Sequence, residues 1–169
     1  MEDELNRGLS FQRLRDYEQD SFCPSPVPVL TRFEIGNRVW RWTGPGGTLT
    51  NDKGEITSFW IPWDNLKVGS IVTPGFKEFR IRHQNRGGEV GRPRDAVQAL
   101  FAVSDHFGPK TTLLVAEFRK PVWGLVGKCS GQRKLDDPDH PNEQWNVWYI
   151  GGEYQVVIPN LTPEWLKKM

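Results

Sequence analysis

Alternating apolar and polar positions predict most of the regular structure of this 169-residue chain. In segment 38–43, Val39, Arg41 and Thr43 fall on one side and Trp40 on the other, which is typical of a strand. Further strands are predicted at 56–61, 76–82, 111–118, 122–126 and 154–158. The chain is therefore expected to be rich in sheet.

Helical signals are fewer. Residues 3–20 have loosely helical apolar spacing and predict a marginal helix or an ordered arm. A short helical turn is expected at 63–70, and a helix at 93–106. A terminal helix is predicted from Thr162, the N-cap, with Trp165 and Leu166 packing back. Eight tryptophans, 17 glycines and 13 prolines favour a turn-rich β or α+β protein over a helical bundle.

The length predicts one domain. Residues 1–28 are expected to form a helical arm and a proline-rich strap, and residues 29–169 a single α+β domain of catalytic type. A net charge of +1 provides no global field toward nucleic acid or an anionic membrane. Two cysteines favour a reduced intracellular protein, and no apolar run predicts a membrane span or a secretory signal. The chain could be a fragment of a larger protein.

A candidate site lies between two aromatic runs, 145–150 and 154–159, which predict a hairpin. Gly151 and Gly152 would let a ligand approach the backbone. Glu153 and Gln155 are two positions apart, so on a strand they share a face. The alternative is an ordinary hairpin with a polar outer face.

Other clusters suggest different chemistry. The Asp- and His-containing segment 136–140 could hold a hard cation, but it matches no calcium loop, and a solvated acidic loop is the alternative. On a strand at 76–82, Arg80 and Arg82 would face one side and, with His83 as general acid or base, could act on RNA. The tryptophans could bind rings, although most are expected in the core.

Several segments together resemble a known family. They are Val39-Trp40-Arg41-Trp42 with the glycine-rich loop after it, Thr57-Ser58, a strand ending in Lys120-Pro121, and Gly151-Gly152-Glu153-Tyr154-Gln155. This set resembles the ADP-ribosyltransferase-like fold of NAD-consuming bacterial toxins. Within that group it is most similar to NAD glycohydrolases of the tuberculosis necrotizing toxin type and to related polymorphic-toxin C-terminal domains. In that family one residue separates the glycines from the glutamine, whereas here two do.

The resemblance implies an α+β fold of twisted, mostly antiparallel sheets with few helices, and NAD as the substrate. Arg41, with Arg80 or Arg82, would bind the pyrophosphate. Glu153 or Gln155 would stabilise the charge that develops on the ribose as nicotinamide leaves. The remaining implied NAD-binding residues are Trp42, Thr57, Ser58, Phe59, Gly151 and Gly152.

Water as acceptor would make the chain an NAD glycohydrolase, and a protein or nucleic acid would make it an ADP-ribosyltransferase. The resemblance further implies a cognate immunity protein as a partner, action in the cytoplasm of the producer or a target cell, and delivery by a secretion system. A ribonuclease-type toxin and a non-enzymatic interaction or immunity module are the alternatives. The NAD hypothesis expects Arg41 to converge with Glu153 or Gln155 on one cleft. Arg41 pointing into the core against Trp60, with Glu153 on the far surface, would contradict the NAD hypothesis.

Overall fold

The computed structural model describes residues 3–43, 46–83, 112–130, 132–133, 148–149 and 153–169. Its strands are Val29–Phe33 (β1), Arg38–Thr43 (β2), Phe59–Pro62 (β3), Leu66–Val68 (β4), Ile71–Thr73 (β5), Thr112–Phe118 (β6), Val122–Lys128 (β7), Gln132–Arg133 (β8), Trp148–Tyr149 (β9), Tyr154–Val157 (β10) and Leu166–Lys168 (β11). Its helices are Asp16–Asp20 (α1) and Phe76–His83 (α2), and a 3₁₀ turn spans Phe11–Arg13.

Seven strands form one sheet, in the order β1-β7-β10-β3-β2-β6-β11, and every recorded pair between them is antiparallel. The first two residues of β3 pair with β10, and its last two pair with β2. The rings of Phe33 on β1 and Phe118 on β6 lie 5.6 Å apart, although β7, β10, β3 and β2 separate these strands in the sheet. The sheet therefore bends around β3, and its inner face encloses a core.

The inner face carries the larger apolar cluster. Its buried members are Phe33, Val39, Trp60, Val68, Leu114, Ala116, Phe118, Val122, Val126, Val156, Ile158, Leu161, Trp165 and Leu166. The packing is tight at Gly124 of β7, where a Cβ would lie 2.7 Å from Cγ1 of Ile158 and 2.9 Å from Cγ1 of Val156. Glycine at that position lets β10 and the residues after it approach β7 closely.

The outer face is covered in two places. Helix α2 packs over β2, with the rings of Phe76 and Phe79 at 4.9 and 5.5 Å from the ring of Trp40. The N-terminal arm, residues 3–28, packs over β7 and β10, where Leu14 and Phe22 join a second cluster of buried side chains. The arm therefore packs directly against the sheet that the residues from 29 onward form.

Several predicted elements are confirmed. Strand β2 has the predicted bounds, the described part of the strand predicted at 111–118 is β6, and β7 runs two residues further than predicted. Trp165 and Leu166 pack into the core as expected. Mostly antiparallel sheet with few helices is also observed in the described residues, which fits the α+β class broadly. The predicted helix at 93–106 lies outside the described residues.

The strand predicted at 76–82 is wrong, since these residues form α2. Phe76 and Phe79 are three positions apart and both contact Trp40, which requires helical spacing. The apparent alternation came from Ile81, whose side chain is 59% exposed. Two positions on a helix are about 200° apart, so Arg80 and Arg82 do not share a side as predicted.

The helical turn predicted at 63–70 is also wrong, because β4 and β5 form a hairpin there. Val68 pairs with Ile71, and the turn between them uses Gly69 at a φ of 61°. A left-handed glycine in a two-residue turn favours a hairpin.

At the C-terminal end, the aromatic hairpin is not formed as predicted: β9 pairs with β8, whereas β10 pairs with β7 and β3. The predicted terminal helix is a turn followed by β11, which pairs with β6. The Thr162 hydroxyl donates to the Glu164 carboxylate at 3.2 Å, in place of the expected capping role.

Candidate functional site

Arg41 is the most distinctive polar group on the inner face. Its neighbour Trp40 lies in the outer cluster under α2, and Val39 lies in the inner core. Because side chains alternate along a strand, Arg41 points to the inner face, as Val39 does. Its Cζ lies 5.7 Å from the centroid of the Trp60 ring. Burial lowers the pKa of Arg41 to about 10, because a low-dielectric environment disfavours the charged guanidinium. Within the described residues, Arg41 has no hydrogen bond or ion pair.

Trp60 is held in place beneath this guanidinium. Its side chain is 1% exposed, and its Nε1 donates to the carbonyl of Thr57 at 2.9 Å. The hydroxyl of Thr57 accepts the backbone N–H of Phe59 at 3.3 Å. The turn at Thr57 therefore fixes the aromatic surface over which Arg41 lies, and the structure does bring Arg41, Thr57 and Trp60 together.

A second cation lies near the same end of the inner face. Thr43 follows Arg41 on this face and pairs with Thr112 of β6. A Cβ built on Gly47 would be 2.8 Å from Cγ2 of Thr112 and 3.6 Å from Nζ of Lys168. Within the described part of the chain, Lys168 also lacks an ion pair. We call the group of Arg41, Thr57, Trp60, Gly47, Thr112 and Lys168 the Arg41 site.

Gln155 lies on the other face of the sheet. Tyr154 packs against the inner core, so Gln155 points outward beneath the arm. Its Nε2 donates to the Ser21 carbonyl at 3.1 Å and to the Ser21 hydroxyl at 2.9 Å, and the side chain is 6% exposed. The expected convergence of Gln155 with Arg41 is therefore not what the described residues show, and Gln155 anchors the arm.

Glu153 lies one residue before β10 and is half-buried. Its carbonyl accepts the backbone N–H of Cys129 at 2.8 Å. The pKa of the buried Cys129 thiol is raised, first by burial and then by electrostatic interaction with Cys23 and Glu153. The backbone of Glu153 is thus placed beside Cys129.

The other predicted site residues are dispersed. Phe59 faces outward, and its ring lies 6.0 Å from that of Tyr17 in the arm. The carbonyl of Ser58 accepts the backbone N–H of Ile158 at 2.8 Å. For Trp42, Arg80, Arg82 and His83 only the backbone is described, and Gly151 and Gly152 lie outside the described residues.

The acidic segment 136–140 also lies outside them. Among the described residues, no three His, Cys, Asp or Glu side chains are grouped so that they could hold a metal ion. Within the same set, no helix is long and apolar enough to span a membrane.

Comparisons with known proteins supply no relative: no protein-family model, curated protein or solved structure matches this chain. In the residues that it describes, the structure defines a class: mostly antiparallel β-sheet with few helices. Its distinguishing feature is an arginine held over tryptophan on the concave face of the sheet.

The pattern of the sequence did not indicate Gly47, Thr112 or Lys168. Lys168 was missed because the sequence pattern predicts a helix in the terminal segment, where the structure has a strand. Thr112 could have been found from its alternation with Leu114, if the pairing of 38–43 with 112–118 had been known. On β10, alternation with the apolar Val156 indicates that Tyr154, not Gln155, shares the face of Arg41.

Proposed function

We propose that the Arg41 site binds the pyrophosphate of NAD, and that this chain cleaves the nicotinamide–ribose bond within an ADP-ribosyltransferase-like fold. The observation that carries the proposal is the desolvated guanidinium of Arg41, which has no anionic partner among the described residues. A buried charge is costly unless it is paired. A bound phosphate would supply that pair.

The charge and shape of the site support a dinucleotide. Arg41 and Lys168 carry two positive charges, the same number as the negative charges of a pyrophosphate. Gly47 has a φ of 56°, and the absence of a Cβ lets its backbone lie close to Thr112 and Lys168. Trp60 provides an aromatic surface that supports the guanidinium.

The cleavage step breaks the bond between ribose C1′ and the nicotinamide nitrogen. The bonding electrons go to the ring nitrogen, nicotinamide leaves neutral, and water adds to C1′ and releases a proton to solvent. The positive charge that develops on the ribose needs a nearby anion or dipole. Gln155 is engaged with Ser21, so we assign this role to Glu153; the assignment rests on the resemblance of the Gly-Gly-Glu-Tyr-Gln segment and not on a described contact with Arg41.

The test is to incubate the protein with NAD and to measure nicotinamide release and NAD binding. Arg41→Met should abolish binding, whereas Glu153→Gln should lower the rate by on the order of a hundredfold with little change in binding. Arg119→Met is the matched control, because Arg119 is exposed and its described contact is through the backbone.

Three outcomes separate the parts of the proposal. Binding that depends on Arg41 without nicotinamide release would leave a nucleotide-binding module and overturn the enzymatic step. Release that is unaffected by Glu153→Gln would overturn the role of that carboxylate. Absence of both binding and release would overturn the proposal as a whole.

A further inference from the structure

A second basic site lies outside the Arg41 site, where the arm meets the turn after β10. A cavity of about 190 Å³ opens there. The lining residues used below are Asn6, Arg7, Arg13, Arg15, Glu18 and Asn160. We call it the arm cavity; it contains none of the residues of the Arg41 site.

The arm cavity has an excess of positive charge. Three arginines and one glutamate line it, so positive side chains outnumber negative ones in the lining by two; outside the lining, Glu4 acts on Arg7 and Glu55 acts on Arg15. Within the described residues, the side chains of Arg7 and Arg13 form no hydrogen bond or ion pair. Glu18 is 2% exposed and accepts the backbone N–H of Arg15 at 2.9 Å, so this carboxylate is committed to the start of α1.

The floor of the cavity is built before any ligand binds. Asn6 and Asn160 have φ values of 61° and 65°, and the amide of Asn160 donates to the side-chain oxygen of Asn6 at 3.2 Å. The amide of Asn6 also donates to the carbonyls of Pro159 and Trp123, at 2.7 and 3.2 Å. These bonds fix the turn after β10 against the arm, and Arg7 follows Asn6 directly. Arg7 therefore extends from an anchored backbone.

From this geometry we propose that the arm cavity binds a phosphate group, either free or as a small phosphomonoester. Guanidinium groups match phosphate oxygens in shape and charge. The volume is below the roughly 300 Å³ at which pockets for larger ligands begin, so a dinucleotide does not fit inside. The site is separate from the NAD proposal and does not depend on it.

The test uses inorganic phosphate and isothermal titration calorimetry at low ionic strength. All proteins carry Arg41→Met, so that the Arg41 site does not contribute to binding. Adding Arg7→Gln and Arg13→Gln should weaken phosphate binding on the order of tenfold. The matched control removes two exposed positive charges elsewhere, through Lys53→Gln and Arg119→Gln, and should leave binding within about twofold.

Circular dichroism checks that each variant is folded, and a single Arg13→Gln variant replaces the pair if it is not. Equal weakening by the control pair would mean that phosphate responds to overall charge, which would overturn the site. Absence of measurable phosphate binding by the Arg41→Met protein would overturn it as well. Binding that is lost only on changing the cavity arginines supports it.

Discussion

Gln155 and Arg41 are polar side chains on strands that flank β3, yet their surroundings are opposite. Gln155 points outward, and its amide donates two hydrogen bonds to Ser21. Arg41 points inward, where burial lowers its pKa and no described residue pairs with it. A buried polar group with its partners present stabilises the fold, whereas one without them indicates a place for a ligand. The comparison therefore indicates a structural role for Gln155 and supports the proposed binding role of Arg41.

The largest effect is expected from Gln155→Leu, which keeps a similar volume but removes both hydrogen bonds to Ser21. Losing them beneath the arm should lower the free energy of unfolding by about 2 kcal/mol. Urea denaturation measures this, and a double-mutant cycle with Ser21→Ala should show coupling between the two residues.

Gln12→Leu is the matched control, because Gln12 lies on the exposed surface of the same arm. It should leave stability nearly unchanged. If Gln155→Leu were equally neutral while abolishing NAD cleavage, Gln155 would be a functional residue and the comparison would be reversed.

Arg41→Met should change the free energy of unfolding in the opposite direction. Removing a desolvated charge while keeping a long apolar side chain should raise the free energy of unfolding by on the order of 1 kcal/mol. Arg41 keeps some exposure to solvent, which limits the gain. Thermal and urea unfolding without ligand measure it, and a clear loss of stability would show that the guanidinium is satisfied in the fold.

The pH dependence of stability tests whether the pKa of Arg41 is lowered in the folded state. The folded-state pKa of Arg41 is about 10, below the ordinary value of an arginine. Above pH 10 the unfolded state therefore binds more protons at this residue, so stability should rise with pH. The penalty is fully present below pH 10 and is removed as pH rises from there toward the ordinary pKa of arginine.

This is measured as the difference in stability between the natural chain and Arg41→Met, which cancels other titrating groups. Between pH 8 and pH 11 the deficit of the natural chain should shrink. A constant difference over this range would contradict the lowered pKa.

How far the sequence could predict this structure depends on the range of the interactions. Segment 38–43 was predictable because its alternation is a local property, and the inward direction of Arg41 follows from it. The helix at 76–83 was not, since Ile81 imitates strand alternation while the contacts that matter are those of Phe76 and Phe79 with Trp40. In such short segments, tertiary packing outweighs the local preference of the sequence.

The candidate site was predictable only in part for the same reason. Arg41 and Thr57 could be selected, but the face of Gln155 depends on which side of β10 meets the core. That side is determined by pairing with β7 and β3, which are distant in sequence. The cover over Gln155 comes from Ser21, 134 positions away, and no local pattern indicates that contact.

The smallest effect is expected at Arg38, which contrasts with Arg41 on the same strand. Arg38 pairs with Glu117 at 3.2 Å on the outer face, and Lys167 lies 3.4 Å from the same carboxylate. The hydrogen bond from Arg38 is the main reason that the pKa of Glu117 is lowered. This contribution to stability is present above the ordinary pKa of Glu117 and is lost as pH falls through the lowered value.

Arg38→Met should therefore cause a slight loss of stability at pH 7 that disappears in acid, because exposed ion pairs contribute little. Thermal unfolding at pH 7 and near pH 3 measures both. NAD binding should be unchanged, since Arg38 lies on the face opposite to Arg41. If Arg38→Met weakened NAD binding as much as Arg41→Met, the ligand would respond to the charge of β2 as a whole, and the distinction between its two faces would be lost.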